Sequence, residues 1–415
     1  MNMQDFFARN AESLELISCG REYEARYCAA ADTFRKLFSS EPTAFISAPG
    51  RIEVCGNHTD HQNGCVLAAS VDLDALCVAE ANNSMCLKLY SEHYAEPFVL
   101  DLNDLSVHED EKNTTFSLIR GVAAGMVNHG YKIGGLNAYV TSRVDSGSGM
   151  SSSAAFEVMM VKLFDVLFNE NNIDPKLNAA ISQYAENAYF GKPSGIMDQS
   201  ASAIGGLVSF DFANGKVETS SLNYDFREKN YSVCVVRAGG EHGSLTHCYA
   251  SIPLEMREVA HVLGEENLQN VTPEMLMEAL PKLKNKVPDR AILRAFHYVD
   301  ETRRAPAAAR ALREDDLQQF FNVLIESGNS SNTLLQNIRV DGSENQELPL
   351  AYELSRRILQ GRGAWRINGG GFAGTIIAFV PNDLLEQYTA VMDGVFGKGA
   401  TSAINIRPLG AVAMK

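Results

Sequence analysis

The sequence predicts a two-domain protein of mixed strands and helices, and three observations carry that expectation. At 415 residues the chain has room for two or three domains with a substantial core. An apolar run at 136–144 passes through a glycine-serine loop into residues 156–167, where Phe156, Met159, Met160, Leu163, Phe164 and Leu167 recur at helical spacing. Near residues 205–230 the pattern changes from alternating strands and helices to mostly helices. That shift places the domain boundary, giving expected domains of 1–205 and 206–415.

Composition excludes several classes of function. The chain is 45% hydrophobic and 21% charged, ordinary for a globular protein. Its net charge of −15, with no basic tract, argues against nucleic acid or an anionic membrane as a partner. No apolar run approaches a membrane span, and the charged residues within 1–29 are unlike a signal peptide, so a cytoplasmic location is expected. The eight cysteines include no Cys-x-x-Cys pair and read as reduced core thiols. A monomer is expected, on the absence of a wide apolar stripe.

In chain order, 4–38 has helical spacing, and strands are expected at 44–48, 65–71, 75–80, 85–90 and 97–100. Between the first two strands, 48–64 is dense in polar and ionisable side chains, including Arg51, Glu53, Asn57, His58, Asp60 and His61. Polar residues crowded between buried strands line a site or form a solvated loop. After a helix at 114–128 and the strand at 136–144 comes Asp145-Ser-Gly-Ser-Gly-Met-Ser-Ser-Ser-Ala-Ala155. Small residues between a strand and a helix start let backbone N–H groups approach a phosphate. The alternative is a linker in which serine caps the helix. The loop lacks the Gly-Lys-Ser/Thr ending of a Walker loop and the third glycine of the dinucleotide fingerprint.

A helix at 174–190 carries Glu186 and stops at Gly191 and Pro193. The segment 194–199 then sets Asp198 in a tight turn, as a functional carboxylate or an N-cap. Strands at 207–212 and 231–238 precede helices at 252–263, 273–283, 290–312, 316–327 and 348–359. Residues 369–371 are three consecutive glycines before a strand at 375–380. Such a run suits close approach of backbone to another segment or a ligand, or a glycine-rich turn. The last expected element is a helix at 382–396.

Four of these segments, in this order, resemble the galactokinases among the GHMP small-molecule kinases. Residues 50–61 are similar to the signature Gly-Arg-Val-Asn-Leu-Ile-Gly-Glu-His-Thr-Asp-Tyr, and 147–155 to Gly-x-Gly-Leu-Ser-Ser-Ser-Ala-Ala. Gly195-Ile-Met-Asp-Gln199 stands as galactokinases write it, and 369–374 is similar to Gly-Gly-Gly-Phe-Gly-Gly. The resemblance spans nearly the whole chain. It implies a two-domain α+β fold with the active site in the interdomain cleft. The implied activity is ATP- and magnesium-dependent phosphorylation of the anomeric hydroxyl of a galactose-type sugar. Asp198 and Arg51 match the catalytic pair. Gly147, Ser148, Gly149, Met150, Ser151, Ser152 and Ser153 match the nucleotide loop. A loop serine (Ser152 or Ser153) and Glu186 fall where magnesium ligands are expected. Asn57, His58, Asp60, Gly195 and Tyr249 are expected at the sugar.

The departures from the family pattern gather in the sugar pocket. Asn57 replaces a glutamate expected at the C6 hydroxyl, Glu53 an asparagine, and His61 a tyrosine. Ile252, before Pro253, replaces another tyrosine, with Tyr249 nearby. Ala373 replaces a glycine. Removing the charge at 57 suits a C6 carboxylate, so galacturonate is the alternative substrate to galactose. A non-catalytic sugar and ATP sensor is the alternative class, disfavoured by the whole serine loop.

Overall fold

In the computed structural model of the chain, residues 2–92, 94–144, 147, 149–239, 245–340, 342–372 and 374–415 are described. Helices Met3–Arg9, Ala11–Ser18 and Glu24–Phe38 bring Phe6, Leu14, Tyr27 and Phe34 to one face of a sheet. The strands of the chain are β1 (Ala44–Cys55), β2 (Cys65–Ala81), β3 (Cys86–Ser91), β4 (Phe98–Asp101), β5 (Leu136–Ser142) and β6 (Leu207–Asp211). They continue with β7 (Glu218–Leu222), β8 (Tyr231–Gly239), β9 (Ala364–Asn368), β10 (Gly374–Pro381), β11 (Thr401–Ile404) and β12 (Val412–Met414).

The first sheet runs β12-β1-β2-β5-β3-β4, with β6 and β7 continuing from the lower half of β2. Along β1 the side chains alternate between two apolar environments. Phe45 packs with the N-terminal helices, whereas Ile46 and Ala48 pack with helices Thr115–Asn128 and Ser152–Phe168 on the opposite face. Because both faces are covered, β1 is buried along its whole length and shows no polar alternation.

The second sheet runs β11-β8-β10-β9. One face of β10 (Ile376, Ala378, Val380) packs on helices Glu347–Leu359 and Leu385–Phe396. Ile377 and Phe379, on the other face, share a core with Ile52 and Val54 of β1 and with helices Asp289–Arg313 and Leu317–Ser330. That shared core clamps the two sheets together and sets the walls of the cleft.

Sheet membership does not divide the chain at one point. The expected boundary at 205/206 precedes β6, yet β6 and β7 pair in the first sheet, and β12 returns to it from the chain's end. The strand expected at 44–48 runs on to Cys55, so Arg51 and Glu53 are strand residues and not part of a loop. The apolar alternation that marks a strand is broken there by charged side chains, which another strand and the second domain cover. Expected strands at 65–71 and 75–80 are one strand, β2. All eight cysteines are free thiols, and among the described residues no helix is long and apolar enough to cross a membrane.

Candidate active site

The register between β1 and β2 slips twice, between Pro49 and Arg51 and between Glu53 and Cys55. Irregularities of this kind re-aim strand side chains. Here Arg51 turns toward the segment before helix Ser152–Phe168. Its Nε donates to Asp198 Oδ1 at 2.6 Å and its Nη1 to the Gly149 carbonyl at 2.5 Å. Asp198 stands in the first turn of helix Met197–Ile204, and its Oδ2 accepts a hydrogen bond from the Ser151 hydroxyl. Neither residue acts as a helix cap. Ser151 sits at the N-cap position in a left-handed conformation (φ 56°), but its side chain leaves the helix uncapped to reach Asp198. The first helical hydrogen bond there is from Ala155 N to Ser151 O. The N–H groups ahead of it take no acceptor among the described residues and lie at the positive end of the helix.

Burial pushes the Asp198 carboxyl up, but the Arg51 cation and the hydrogen bonds from Arg51 and Ser151 outweigh it. The net effect holds Asp198 below the usual carboxylate range and keeps it ionised. Its side chain remains 27% exposed, whereas Arg51 is 5% exposed. The ionised oxygen pair is therefore presented to the cleft while its counter-ion is sealed behind it.

The glycine run ties the two domains across this point. The Gly369 carbonyl accepts from Asn57 Nδ2 (2.7 Å), Gly370 from His58 Nε2 (3.0 Å) and Gly371 from the Tyr249 hydroxyl (2.9 Å). Asn368 ties β9 to the glycine-serine loop, donating to the Gly149 carbonyl at 2.9 Å. Gly149 itself has φ 70°, and a Cβ there would lie 1.8 Å from Thr375 Oγ1. The His58 bond to a carbonyl makes its Nε2 the protonated nitrogen. Its Nδ1 then accepts from His61 Nε2 at 3.3 Å. Burial lowers both imidazoles, His58 to about 4 and His61 well below its ordinary value, so both are neutral.

These groups surround a cleft of about 970 Å³, a volume suited to small ligands. Gly147, Gly149, Ser151, Ser152, Ser153, Glu186, Gly195, Asp198, Arg51, His58, Asp60 and Tyr249 all line it. Ser148 lies outside the described residues, as do Asp145, Ser146 and Ala373. Asp60 accepts from the N–H groups of His61 (2.9 Å) and Met197 (3.3 Å). Burial and the neighbouring Asp198 charge raise it to about 6. Ser153 Oγ donates to Glu186 Oε1 at 3.3 Å, and Lys192 Nζ binds the same oxygen at 2.8 Å. Glu186 sits on a π-turn, Ala185–Phe190, that extends helix Pro175–Tyr184 and directs the carboxylate into the cleft.

Two expected site residues are placed elsewhere. Met150 is buried in the core shared by the two sheets, and only its carbonyl joins the loop, accepting from Arg51 N at 3.0 Å. Asn57 is fully buried and does not line the cleft. Its amide donates to Glu53 Oε1 (2.8 Å) and to the Gly369 carbonyl, and its Oδ1 accepts from Asn337 (2.8 Å) and Ser331 (3.3 Å). No donor of Asn57 is left for a ligand. The carboxyl group absent at 57 is present one hydrogen bond away, on Glu53, where burial outweighs the Arg366 and Arg51 cations and pushes its pKa up to about 7. Ile252 points into the second domain's core, and Tyr249, one turn earlier, faces the cleft instead. Sequence reasoning assigned no role to Lys192, Asn368 or Glu53, which also line the cleft. For Glu53 a signal was present: two departures four residues apart in one motif, with opposite chemistry.

Residues 32–81 match the galactokinase galactose-binding signature, and residues 117–206 match the GHMP kinases N terminal domain. A galactokinase from Pyrococcus furiosus is 31% identical over 356 residues, covering 83% of this chain and 93% of that protein. A galactokinase from Streptomyces coelicolor is 28% identical over 376 residues, covering 90% and 93%. The crystal structure of Lactococcus lactis galactokinase complexed with galactose superposes with a TM-score of 0.82. It covers 93% of this chain and 99% of that one at 22% identity, a likeness of fold.

Proposed function

Because the chain belongs to the galactokinase family of the GHMP small-molecule kinases, we propose that it phosphorylates the anomeric hydroxyl of galactose, giving galactose 1-phosphate. Membership makes it a sugar kinase with ATP as phosphate donor. The observation that carries the finer reading is the ionised Asp198, clamped between Arg51 and Ser151 beside an uncapped helix start.

In this reading the open N–H groups at Ser152–Ser153 and the loop Gly147–Ser151 receive the nucleotide phosphates. Asp198 accepts the proton of the sugar hydroxyl, or orients that hydroxyl, for in-line attack on the γ-phosphoryl group. Arg51 keeps Asp198 ionised and offsets charge on the transferring group. Asp60 and Tyr249 hold the sugar ring, and His58, whose ring nitrogens are engaged by Gly370 and His61, forms the pocket wall beside them.

Magnesium fits the oxygen donors present. Ser153 and Glu186 have their oxygens 3.3 Å apart on the cleft wall. Among the described residues no group of three or more ligating side chains forms a full protein cage. Such a sparse set matches an ion that relies on phosphates and water for its remaining ligands. When bound, the ion would neutralise phosphate charge.

Galacturonate is the second sugar to be tested. A C6 carboxylate suits a pocket wall without a carboxyl group, and Glu53 supplies one. ADP release from ATP and magnesium, with galactose, galacturonate, N-acetylgalactosamine and arabinose in parallel, tests the reading. Turnover with galactose well above the others is expected. Turnover with galacturonate alone would overturn the substrate, and binding of sugar and ATP without turnover would favour a sensor.

A further inference from the structure

The buried wall behind the sugar end of the cleft holds one carboxylate and one carboxamide in direct contact, Glu53 and Asn57. The motif that this segment resembles carries the same two groups in the opposite order, asparagine first and glutamate four residues later. The two departures are therefore one reciprocal exchange. One carboxyl and one carboxamide are kept, while the carboxyl moves from the loop onto β1.

The structure shows how the relocated carboxylate is held. Glu53 Oε1 accepts from Asn57 Nδ2 and, at 3.1 Å, from Arg366 Nη2, whose guanidinium is fully buried and also donates to the Glu53 carbonyl at 2.8 Å. The second oxygen, Oε2, takes no hydrogen bond from any described residue. Glu53 lines the cleft, with its side chain 4% exposed. A carboxyl group fixed by two donors on one oxygen in a cleft wall, its other oxygen taking no hydrogen bond among the described residues, is an acceptor available to a hydroxyl donor. An anionic substituent at the same place would meet a like charge whenever Glu53 is ionised, and burial already pushes that carboxyl up to about 7.

We infer that Glu53 is a specificity-determining residue, whose Oε2 accepts the hydrogen bond of the sugar's C6 hydroxyl in place of a glutamate at position 57. Asn57 is its positioning residue, held in turn by Asn337 and the Gly369 carbonyl. The inference rests on the sugar-kinase reading above.

Steady-state kinetics with galactose, 6-deoxygalactose and 2-deoxygalactose test it on the wild type, E53Q, N57E and the double variant E53N/N57E. Wild type should discriminate against 6-deoxygalactose. E53Q should raise KM for galactose roughly ten- to hundredfold, the loss expected for a hydrogen bond to a charged group. It should do so with kcat changed only a few-fold, and it should lose discrimination against the 6-deoxy sugar but not the 2-deoxy sugar. N57E sets two carboxylates in contact and should be impaired. The double variant keeps one carboxylate and one carboxamide and gives Arg366 a partner, so it should recover most of the lost affinity, and it answers the question if E53Q folds poorly. An active wild type whose 6-deoxy discrimination survives E53Q, or a double variant no better than the singles, overturns this inference alone. A wild type inert toward every sugar overturns the kinase reading and the inference with it.

Discussion

Replacing Asp198 by asparagine removes one charge and almost no volume, so its effects on folding and on chemistry separate cleanly. Arg51 Nε and the Ser151 hydroxyl bind opposite oxygens of the carboxylate. In the variant the amide oxygen can face Arg51 while the amide nitrogen donates to Ser151 Oγ, because a hydroxyl can turn from donor to acceptor. The geometry therefore survives, and the loss is of charge. Breaking a fully buried ion pair costs about 3–5 kcal/mol. Here the Asp198 side chain is 27% exposed and both hydrogen bonds are replaced, so about 1–2 kcal/mol is expected. That corresponds to a drop in Tm of a few degrees. The chemical step loses its proton acceptor, which is worth roughly 10²- to 10⁴-fold, or about 2.7–5.5 kcal/mol of barrier. Coupled measurement of ADP release with galactose should show that loss in kcat, with ATP affinity within about threefold by direct titration. A folded variant retaining more than a tenth of wild-type kcat would refute the role given to Asp198.

The same geometry fixes three further outcomes. Ser151→Ala removes one of the hydrogen bonds that hold Asp198 ionised, so its carboxyl titrates higher. The acid limb of kcat, which needs the ionised form, should move to higher pH, and the stability contributed by that ionised group should be smaller at neutral pH and completely lost at a higher pH as acid is added. An unmoved acid limb would count against the contact. Gly195→Ala places a Cβ 1.7 Å from Asp60 Oδ2. It should raise the sugar KM at least roughly tenfold while leaving ATP binding intact. An unchanged sugar KM would show that Asp60 is not a sugar contact. Glu186→Gln should raise the magnesium concentration for half-maximal rate about tenfold, with excess magnesium restoring turnover. Equal magnesium curves for the two proteins would remove Glu186 from the metal site.

Much of the fold was legible because burial on one face leaves a periodic trace. The spacing of Phe156, Met159, Met160 and Leu163 marks the helix Ser152–Phe168, and the helices around 252–359 were located in the same way. Strands β7, β9, β11 and β12 were not. β7 is mostly exposed and carries little apolar signal. β9 ends in the glycine run, and β11 and β12 are four and three residues long. Each is a strand because a neighbouring strand offers hydrogen bonds, which no local window contains.

The candidate site divides along the same line. By itself the sequence determined which chemistry is available: a glycine-serine loop before a helix, an aspartate among small residues, a glycine run and a polar segment between buried strands. Residue type and spacing carry that information directly. The tertiary structure alone decided what those groups touch. It joined Ser151 to Asp198 rather than to its own helix, and sent Met150 into the core. It also withdrew Asn57 from the cleft and set Glu53, backed by Arg366 from 313 residues away, in the wall. The physical reason is that hydrogen bonds and charge pairing act over a few ångströms in space. Bulges in β1 and the packing of two sheets bring together groups that the chain keeps hundreds of residues apart.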